Sequence, residues 1–182
     1  METGSRLRSQ GGGWSARFVG AAAVGLAALL ALSGCGMQIP ADPSGTLDAV
    51  RGGTLRVGVS PNEGFVASGI PADDDPLGPE VDLIEEFADS LDADVAWTVG
   101  SEEALVRQLE RGKLDLVAGG LTDATPWVDS AGVTRPYTEV VDDDGTTLKI
   151  VMLTRLGENA FLSELETFLG DHAEERGGGV RR

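Results

Sequence analysis

The chain has little of three residue types on which many catalytic and structural sites depend. It contains one cysteine, one histidine and few aromatic side chains, 5% of its 182 residues. With Cys35 alone, an internal disulfide and a cysteine-rich zinc site are both excluded. With His172 alone, a histidine-based triad would have to be built beside a glycine-rich tail. The sequence therefore argues against catalysis by these routes.

Basic side chains are also scarce. The chain carries 14 basic and 30 acidic residues, a net charge of -16, and its longest basic cluster is Arg181 and Arg182. Such a charge repels phosphate backbones, so we expect no nucleic-acid partner. The hydrophobic fraction of 41% and the mean hydropathy of -0.02 are typical of globular proteins, which predicts that the acidic residues form a solvated surface.

The N-terminal region has a basic segment followed by an apolar run. Residues 1–17 carry three arginines, and Phe18–Leu32 contains no charged side chain. As a helix, this run spans roughly 22 Å at about 1.5 Å per residue, which is shorter than a bilayer core of about 30 Å. We therefore expect residues 1–34 to be a secretory signal peptide rather than a permanent membrane span.

The single cysteine follows this run directly. The residues Leu32-Ser33-Gly34-Cys35 resemble the lipobox of bacterial lipoproteins, in which the peptide is cut before the cysteine and the sulfur is acylated. The resemblance implies an extracytoplasmic protein, in the periplasm or at the cell surface, anchored to the membrane through lipidated Cys35. A buried structural cysteine is the alternative.

Composition divides the rest of the chain into three parts. Residues 35–44 contain two prolines and no apolar period, so we expect a flexible tether. Residues 45–172 carry the apolar patterns of a folded domain. Residues 173–182 end in GGGVRR and have nothing to bury, which predicts a disordered tail.

The folded part alternates strand-like and helix-like patterns, which is typical of an α/β domain. Strands are predicted at residues 54–60, 94–99, 114–118, 133–137 and 148–153. Helices are predicted at residues 46–50 with Ser44 as cap, from Pro79 or Glu80 through residue 91, at residues 101–111 with Ser101 as cap, and at residues 159–169.

The last predicted helix carries a clear apolar stripe. Its large side chains fall at spacings of 0, 1, 4, 7 and 8 residues: Phe161, Leu162, Leu165, Phe168 and Leu169. Burial of each such side chain contributes about 1.5 to 3 kcal/mol before entropy is subtracted. We therefore expect this helix to dock onto the sheet that the first strand begins.

Four segments in order carry a family resemblance. They are Thr54–Val59 (TLRVGV), Gly78–Leu83 (GPEVDL), Leu114–Thr122 (LDLVAGGLT) and Arg135–Tyr137 (RPY). Together they resemble the first lobe of family 3 solute-binding proteins, the receptors of polar amino-acid ABC importers. The resemblance covers residues 45 to 137 and implies one periplasmic-binding-protein-like lobe with a mostly parallel sheet flanked by helices. It also implies structural roles for Glu80 and Asp82.

The chain departs from the family in length. Only twelve residues, Thr138–Lys149, separate the RPY segment from the apolar residues Ile150–Leu153 of the next strand, too few for a second lobe. The segment that returns to the first lobe is present, because Arg155–Asn159 and the apolar helix resemble the family's closing turn and helix. We therefore expect a complete single lobe. A truncated chain is the alternative, but truncation would leave the helical stripe without a sheet to cover.

The second departure concerns the ligand. Amino-acid binders of the family usually place an arginine after the Gly-x-Thr element, where it pairs with the ligand carboxylate, and Trp127 occupies that position here. The resemblance and loop positions suggest Glu63, Phe65, Thr122 and Trp127 as ligand-binding residues. Alternatively, Phe65 and Trp127 pack on the rim and Thr122 caps a turn. A cationic or uncharged ligand suits this acidic protein best.

Other conspicuous residues carry plainer interpretations. The runs Asp73–Asp75 and Asp142–Asp144 lack the alternating ligands of an EF-hand loop, so we expect solvated turns and no metal. Arg135 is predicted to form a salt bridge with one of the many acidic residues. His172 lies beyond the last helical stripe and is predicted to be exposed. No cofactor is expected.

Three functions remain open at this point. The first is a lipid-anchored, extracytoplasmic solute-binding component of an ABC-type importer, which binds a small polar solute for a permease. With one lobe it would bind weakly, dimerise, or use another protein as the second half of its binding site. The second is a non-transport interaction or sensory module without a small-molecule ligand. The third, least favoured, is an enzyme of dehydratase or glycan-cleaving type that uses Glu63 as its carboxylate.

Overall fold

The computed structural model describes residues 41–67 and 75–178, with side chains up to residue 174. The predicted signal peptide (residues 1–34), Cys35 and the first part of the tether lie outside the described residues. Within the described part, no helix combines the length and the apolar character needed to cross a membrane.

Ten elements follow one another within residues 41–67 and 75–178. They are α1 (Thr46–Val50), β1 (Thr54–Val59), α2 (Pro79–Ser90), β2 (Asp94–Val99), α3 (Glu102–Glu110), β3 (Leu116–Thr122), β4 (Ala131–Val133), β5 (Thr138–Val141), β6 (Thr147–Arg155) and α4 (Asn159–Gly178). The strands form one sheet in the order β2-β1-β3-β6-β4, and β5 also pairs with β6. β1 is parallel to β2 and β3, whereas β6 is antiparallel to β3, β4 and β5. The predicted α/β lobe is confirmed.

The sheet is covered on both faces because alternate strand residues point in opposite directions. In β3, Leu116 and Ala118 pack in the cluster that contains residues of α1, α2 and α4. Val117 and Leu121 pack instead with apolar residues of α3, including Leu105. This two-sided burial explains why β1 and β3 read as nearly continuous apolar runs.

The C-terminal helix docks on the sheet, as its stripe predicts. Phe161, Leu165 and Leu169 are buried in the cluster that includes the β1 side chains. The Phe87 ring of α2 meets Phe161 edge-on, with ring centroids 5.9 Å apart, and lies 5.3 Å from Phe168. The helix continues to Gly178, so residues 173–178, predicted to begin a disordered tail, are helical instead.

The half-buried carboxylate of Asp42 and the buried carboxylate of Glu158 join the N-terminal segment to the start of α4, and we call this pair of residues the end clamp. Asp42 accepts hydrogen bonds from the backbone N–H groups of Leu47 (2.7 Å), Ala160 (2.9 Å) and Phe161 (3.1 Å). Glu158 accepts them from Ser44 N–H (3.0 Å), Thr46 N–H (3.1 Å) and Thr46 Oγ1 (2.7 Å).

The end clamp corrects two expectations. Residues 41–44 belong to the folded lobe rather than to a flexible tether. The amide at the start of α1 is satisfied by Asp42, while the predicted cap Ser44 makes no capping bond with its side chain. Burial opposes ionisation of Glu158, but the hydrogen bonds from Thr46 and Ser44 outweigh it, so the pKa of Glu158 is lowered.

A short hairpin stands where a second lobe would leave the first. β5 and β6 pair from Thr138 opposite Ile150 to Val141 opposite Thr147. Between them the chain turns at Asp142–Thr146, where Asp142 N–H donates to the Thr146 carbonyl at 2.9 Å and Gly145 adopts a φ of 85°. The acidic segment between β5 and β6 is therefore a tight exposed turn, as predicted for Asp142–Asp144.

The strand predicted at residues 133–137 does not form as one element, and residues 134–137 instead connect two strands. β4 ends at Val133 and β5 begins at Thr138. Pro136 has no N–H to donate to a strand ladder, and the N–H of Arg135 donates to Glu166 Oε1 at 2.7 Å. The Arg135 guanidinium pairs with the same carboxylate at 3.0 Å, which confirms the predicted salt bridge.

Asp42→Ala tests the end clamp. The substitution leaves three backbone donors without their acceptor, so we expect the free energy of unfolding to fall by about 1–2 kcal/mol in urea denaturation. Asp171→Ala, an exposed position on α4, is the control and should change it by less than about 0.5 kcal/mol. Equal effects of the two substitutions would show that the end clamp contributes nothing specific.

Candidate functional site

The parallel strands β1, β2 and β3 end at the same edge of the sheet, where α/β folds commonly bind ligands. A cleft of about 300 Å³ lies there, between the loop after β1 and the loop after β3. We call it the strand-edge cleft. Its lining includes residues 119–122 together with Ser60, Asn62, Glu102 and Thr125.

Two glycines shape this edge. β3 continues through Gly119 and Gly120 to Thr122, four residues beyond the predicted end at residue 118. Their φ angles are 142° and 66°, and a Cβ on Gly119 would collide with Ser60, while one on Gly120 would collide with the Phe65 ring. The glycines therefore allow the loop after β1 to lie directly against β3.

Glu80 fixes the position of Gly120 from the other side. The Glu80 side chain is buried at the start of α2, where its Oε2 accepts the Gly120 N–H at 2.7 Å and its Oε1 accepts the Tyr137 hydroxyl at 2.6 Å. Burial raises the pKa of Glu80, although the two hydrogen bonds partly oppose this. Burial and the neighbouring carboxylate also raise the pKa of Tyr137. The structural role implied for Glu80 is confirmed, whereas Asp82 is exposed.

Trp127 does not line the described wall of the cleft but contacts Glu102, which does. Its ring packs against the apolar cluster under α3, and its indole N–H donates to Glu102 Oε1. Glu102 begins α3 and lines the strand-edge cleft, whereas the indole lies behind it. Trp127 therefore holds a carboxylate at the wall of the cleft.

The four predicted site residues occupy different places. Thr122 lines the strand-edge cleft. Phe65 packs over Gly120 and lines a second, larger cavity of about 470 Å³. Glu63 is exposed on the loop after β1, and Trp127 stands behind Glu102. Of the four, Thr122 alone is brought to the described wall of the cleft.

Sequence reasoning missed Ser60, Asn62 and Glu102 as cleft residues. The Asn62 side chain donates to the Gly119 carbonyl at 2.9 Å and so ties the two loops together. A topological signal was available for Glu102, because residues that follow parallel neighbouring strands meet at one edge of the sheet. Since β2 pairs with β1 in parallel, the segment after Val99 had to reach the same edge as Ser60.

His172 lines the larger cavity and corrects an expectation. It is predicted to be exposed, but its side chain is 19% exposed and stacks on the Phe168 ring with centroids 5.8 Å apart. Its Nδ1 lies 3.2 Å from Glu86 Oε2. The helix that carries both His172 and Phe168 continues past the predicted boundary, which brings the imidazole against α2.

No group of three or more potential metal ligands occurs among residues 41–67 and 75–178. Asp142–Asp144 lie in the hairpin turn, where Thr146 N–H donates to Asp144 Oδ1 at 2.8 Å and the hydrogen bonds with Thr146 lower the pKa of Asp144. Asp73 and Asp74 lie outside the described residues.

The chain is similar in sequence to a known protein over part of its length. No sequence profile of a known protein family matches the chain. A probable histidine-binding protein of Campylobacter jejuni is 30% identical over 84 residues, which cover 46% of this chain and 32% of that relative. The matched segment therefore spans about a third of the length of that curated relative.

Solved structures match more of the chain. Domain 1 of TmArgBP in its arginine-bound form superposes with a TM-score of 0.58 at 20% identity, over 68% of this chain and 97% of that one. The chain has the fold of a single solute-binding-protein lobe. An ancestral cationic amino acid solute binding protein gives a TM-score of 0.59 at 15% identity, over 75% of this chain and 96% of that one. The resemblance predicted from sequence is confirmed, and these similar proteins are binding proteins.

Glu80→Gln tests the buried carboxylate of this lobe. Because the folded protein raises the pKa of Glu80 above its ordinary value of 4.5, the native state holds a proton that the unfolded state releases. Its contribution to stability should therefore be fully present below the ordinary pKa of 4.5 and should be lost as pH rises through the raised one. We expect urea denaturation to show a smaller loss of stability with rising pH in the variant.

The control is Glu85→Gln, an exposed position on the same helix. It should keep the pH dependence of the unmodified protein. Parallel stability curves for Glu80→Gln and the unmodified protein would mean that Glu80 does not titrate differently in the folded and unfolded states.

Proposed function

We propose that the protein is the lipid-anchored, extracytoplasmic solute-binding component of an ABC-type importer. In this proposal the strand-edge cleft holds a small polar, amino-acid-like solute, and a permease receives it. The chain's similarity to amino-acid-binding proteins supports a solute-binding role. The charge-free run before Cys35 supports export and anchoring.

The observation that carries the proposal is the likeness to a domain rather than to a whole receptor. The TmArgBP structure is the arginine-bound form of domain 1, and this chain covers 97% of it. A ligand-bound form of one such domain supports binding by a chain that has one lobe. The cleft at the strand ends of the present lobe offers the corresponding kind of surface.

In this proposal Thr122 contacts the solute at the cleft wall, and Phe65 and Glu63, which lie outside the described lining, reach it from the rim. The hydroxyl of Thr122 at the cleft wall can donate or accept one hydrogen bond. The Phe65 ring supplies an apolar face beside Gly120, and Glu63 provides a carboxylate on the outer rim. Trp127 contributes through the orientation of Glu102.

A surface that covers the bound solute would come from outside this lobe. The hairpin of β5 and β6 returns the chain to the sheet within a few residues, so nothing in this segment can close over the cleft. We propose that a second copy of the chain or another protein covers the cleft when solute is bound. The strongly exposed Val141 at the tip of β5 is an apolar contact available to such a partner.

A thermal-shift screen of amino acids, polyamines and small peptides tests solute binding. A ligand at a hundredfold excess over its Kd stabilises the protein by about 2.7 kcal/mol. Thr122→Val should weaken binding of the best ligand about tenfold because one hydrogen bond is lost. Thr167→Val, an exposed position on α4, is the matched control and should leave Kd unchanged. Equal Kd values for both variants would remove Thr122 from the proposed site.

Fractionation of expressing bacterial cells tests the anchor. Unmodified protein should sediment with membranes, and Cys35→Ala should move it to the soluble extracytoplasmic fraction because the acylated sulfur is lost. The control is Ser33→Thr, which changes a residue two positions before the cysteine and keeps the sulfur. This variant should remain with the membranes. If Cys35→Ala stays with the membrane fraction, the lipid anchor is not at Cys35.

The second candidate function is an interaction or sensory module without a small-molecule ligand. The tight turn between β5 and β6 favours it, because a lobe without a partner lobe loses hinge closure. The thermal-shift screen separates the two functions. No stabilisation by any solute, together with capture of a defined envelope protein, would favour the interaction module.

A further inference from the structure

The charges around the strand-edge cleft indicate what kind of solute it selects. Of the described residues that line it, Glu102 is the one that carries a charge. Its Oε1 accepts the Trp127 indole N–H, and within residues 41–67 and 75–178 its Oε2 has no hydrogen-bond partner. The carboxylate of this lining residue therefore has one oxygen held by Trp127 and the other available to accept a bond from a cationic ligand.

The same cleft offers little to a carboxylate. The Gly120 N–H, which could bind an anion, already donates to Glu80. The N-terminus of α3 lies at this edge, but Glu102 and Glu103 occupy its first turn and offset the positive end of the helix dipole.

Nearby cations are engaged elsewhere or lie outside the lining. Arg107 pairs with Glu103 on the exposed side of α3. Lys149 is aligned with Glu139 across the hairpin of β5 and β6. Trp127 has a single N–H donor and gives it to Glu102, so it cannot hold a carboxylate in a two-bond fork as arginine does.

We propose that the cleft selects an organic cation without a free carboxylate, an amine or guanidine of amino-acid size, over the amino acid with the same side chain. This inference rests on the proposed solute-binding function and specifies its ligand class. Glu102 accepts the cationic group, and Trp127 is the positioning residue that orients Glu102. A carboxylate on the ligand would find no cationic partner in the described lining and would be repelled by Glu102.

Isothermal titration of the full chain with two matched ligand pairs tests the selection. Agmatine and arginine differ by one carboxylate, as do cadaverine and lysine. We expect each amine to bind at least tenfold more tightly than its amino acid. Added salt should reduce the affinity of the amines because their contact with Glu102 is electrostatic.

Two variants and a control locate the effect. Glu102→Gln should weaken agmatine binding at least tenfold, whereas Glu110→Gln, an exposed glutamate at the other end of α3, should leave it unchanged. Trp127→Arg should reverse the preference toward arginine, because it places a guanidinium beside the cleft and neutralises Glu102. Circular dichroism melting confirms that each variant is folded before titration.

The outcomes separate this inference from the function on which it rests. Tighter binding of arginine or lysine than of the amines overturns the selection but leaves solute binding intact. Equal affinities of the unmodified protein and Glu102→Gln for agmatine also overturn it. If none of the four compounds binds, the selection is wrong, and the broader thermal-shift screen then decides whether the lobe binds any solute.

Discussion

The reciprocal bonds of Asp42 and Glu158 are the constraint on which the lobe depends most. Each carboxylate accepts three hydrogen bonds: all three to Glu158 come from the N-terminal segment, whereas Asp42 accepts two from the start of α4 and one from Leu47 in α1. They satisfy amides at the starts of α1 and α4 that would otherwise lack partners. With α4 held at its first turn, Phe161 and Leu165 are directed into the core over β1. The ends of the domain are thereby joined without a disulfide.

This constraint is connected to the cleft through β6. After the hairpin turn, β6 pairs with the end of β3, where Ile150 lies opposite Thr122, and then with the start of β3, where Thr154 lies opposite Leu116. The chain then continues to Glu158 of the end clamp. The end clamp and the strand-edge cleft thus lie at opposite edges of one sheet. The end clamp occupies one edge, and the loops and glycines that form the cleft occupy the other, where α/β folds commonly bind ligands.

The sequence predicted those elements whose own pattern is strong. The bounds of β2, the start of α2 at Pro79 and the buried face of α4 follow from apolar period and helix-start signals. The extension of β3 through Gly119 and Gly120 could not be predicted from propensity, because glycine weakens a strand and its reason here is contact with Ser60 and Phe65. The roles of Asp42 and Glu102 were missed because each depends on a partner distant in sequence, Phe161 for Asp42 and Trp127 for Glu102.

Native-state hydrogen exchange tests the central claim, that α4 and β1 belong to one complete lobe, most directly. If the end clamp and the apolar stripe join them, amides of α4 between Leu162 and Leu169 should exchange with the same opening free energy as those of Leu55 to Val59 in β1. Exchange of the α4 amides at a free energy several kcal/mol lower, with β1 still protected, would show that the helix opens independently and would contradict the single-lobe account.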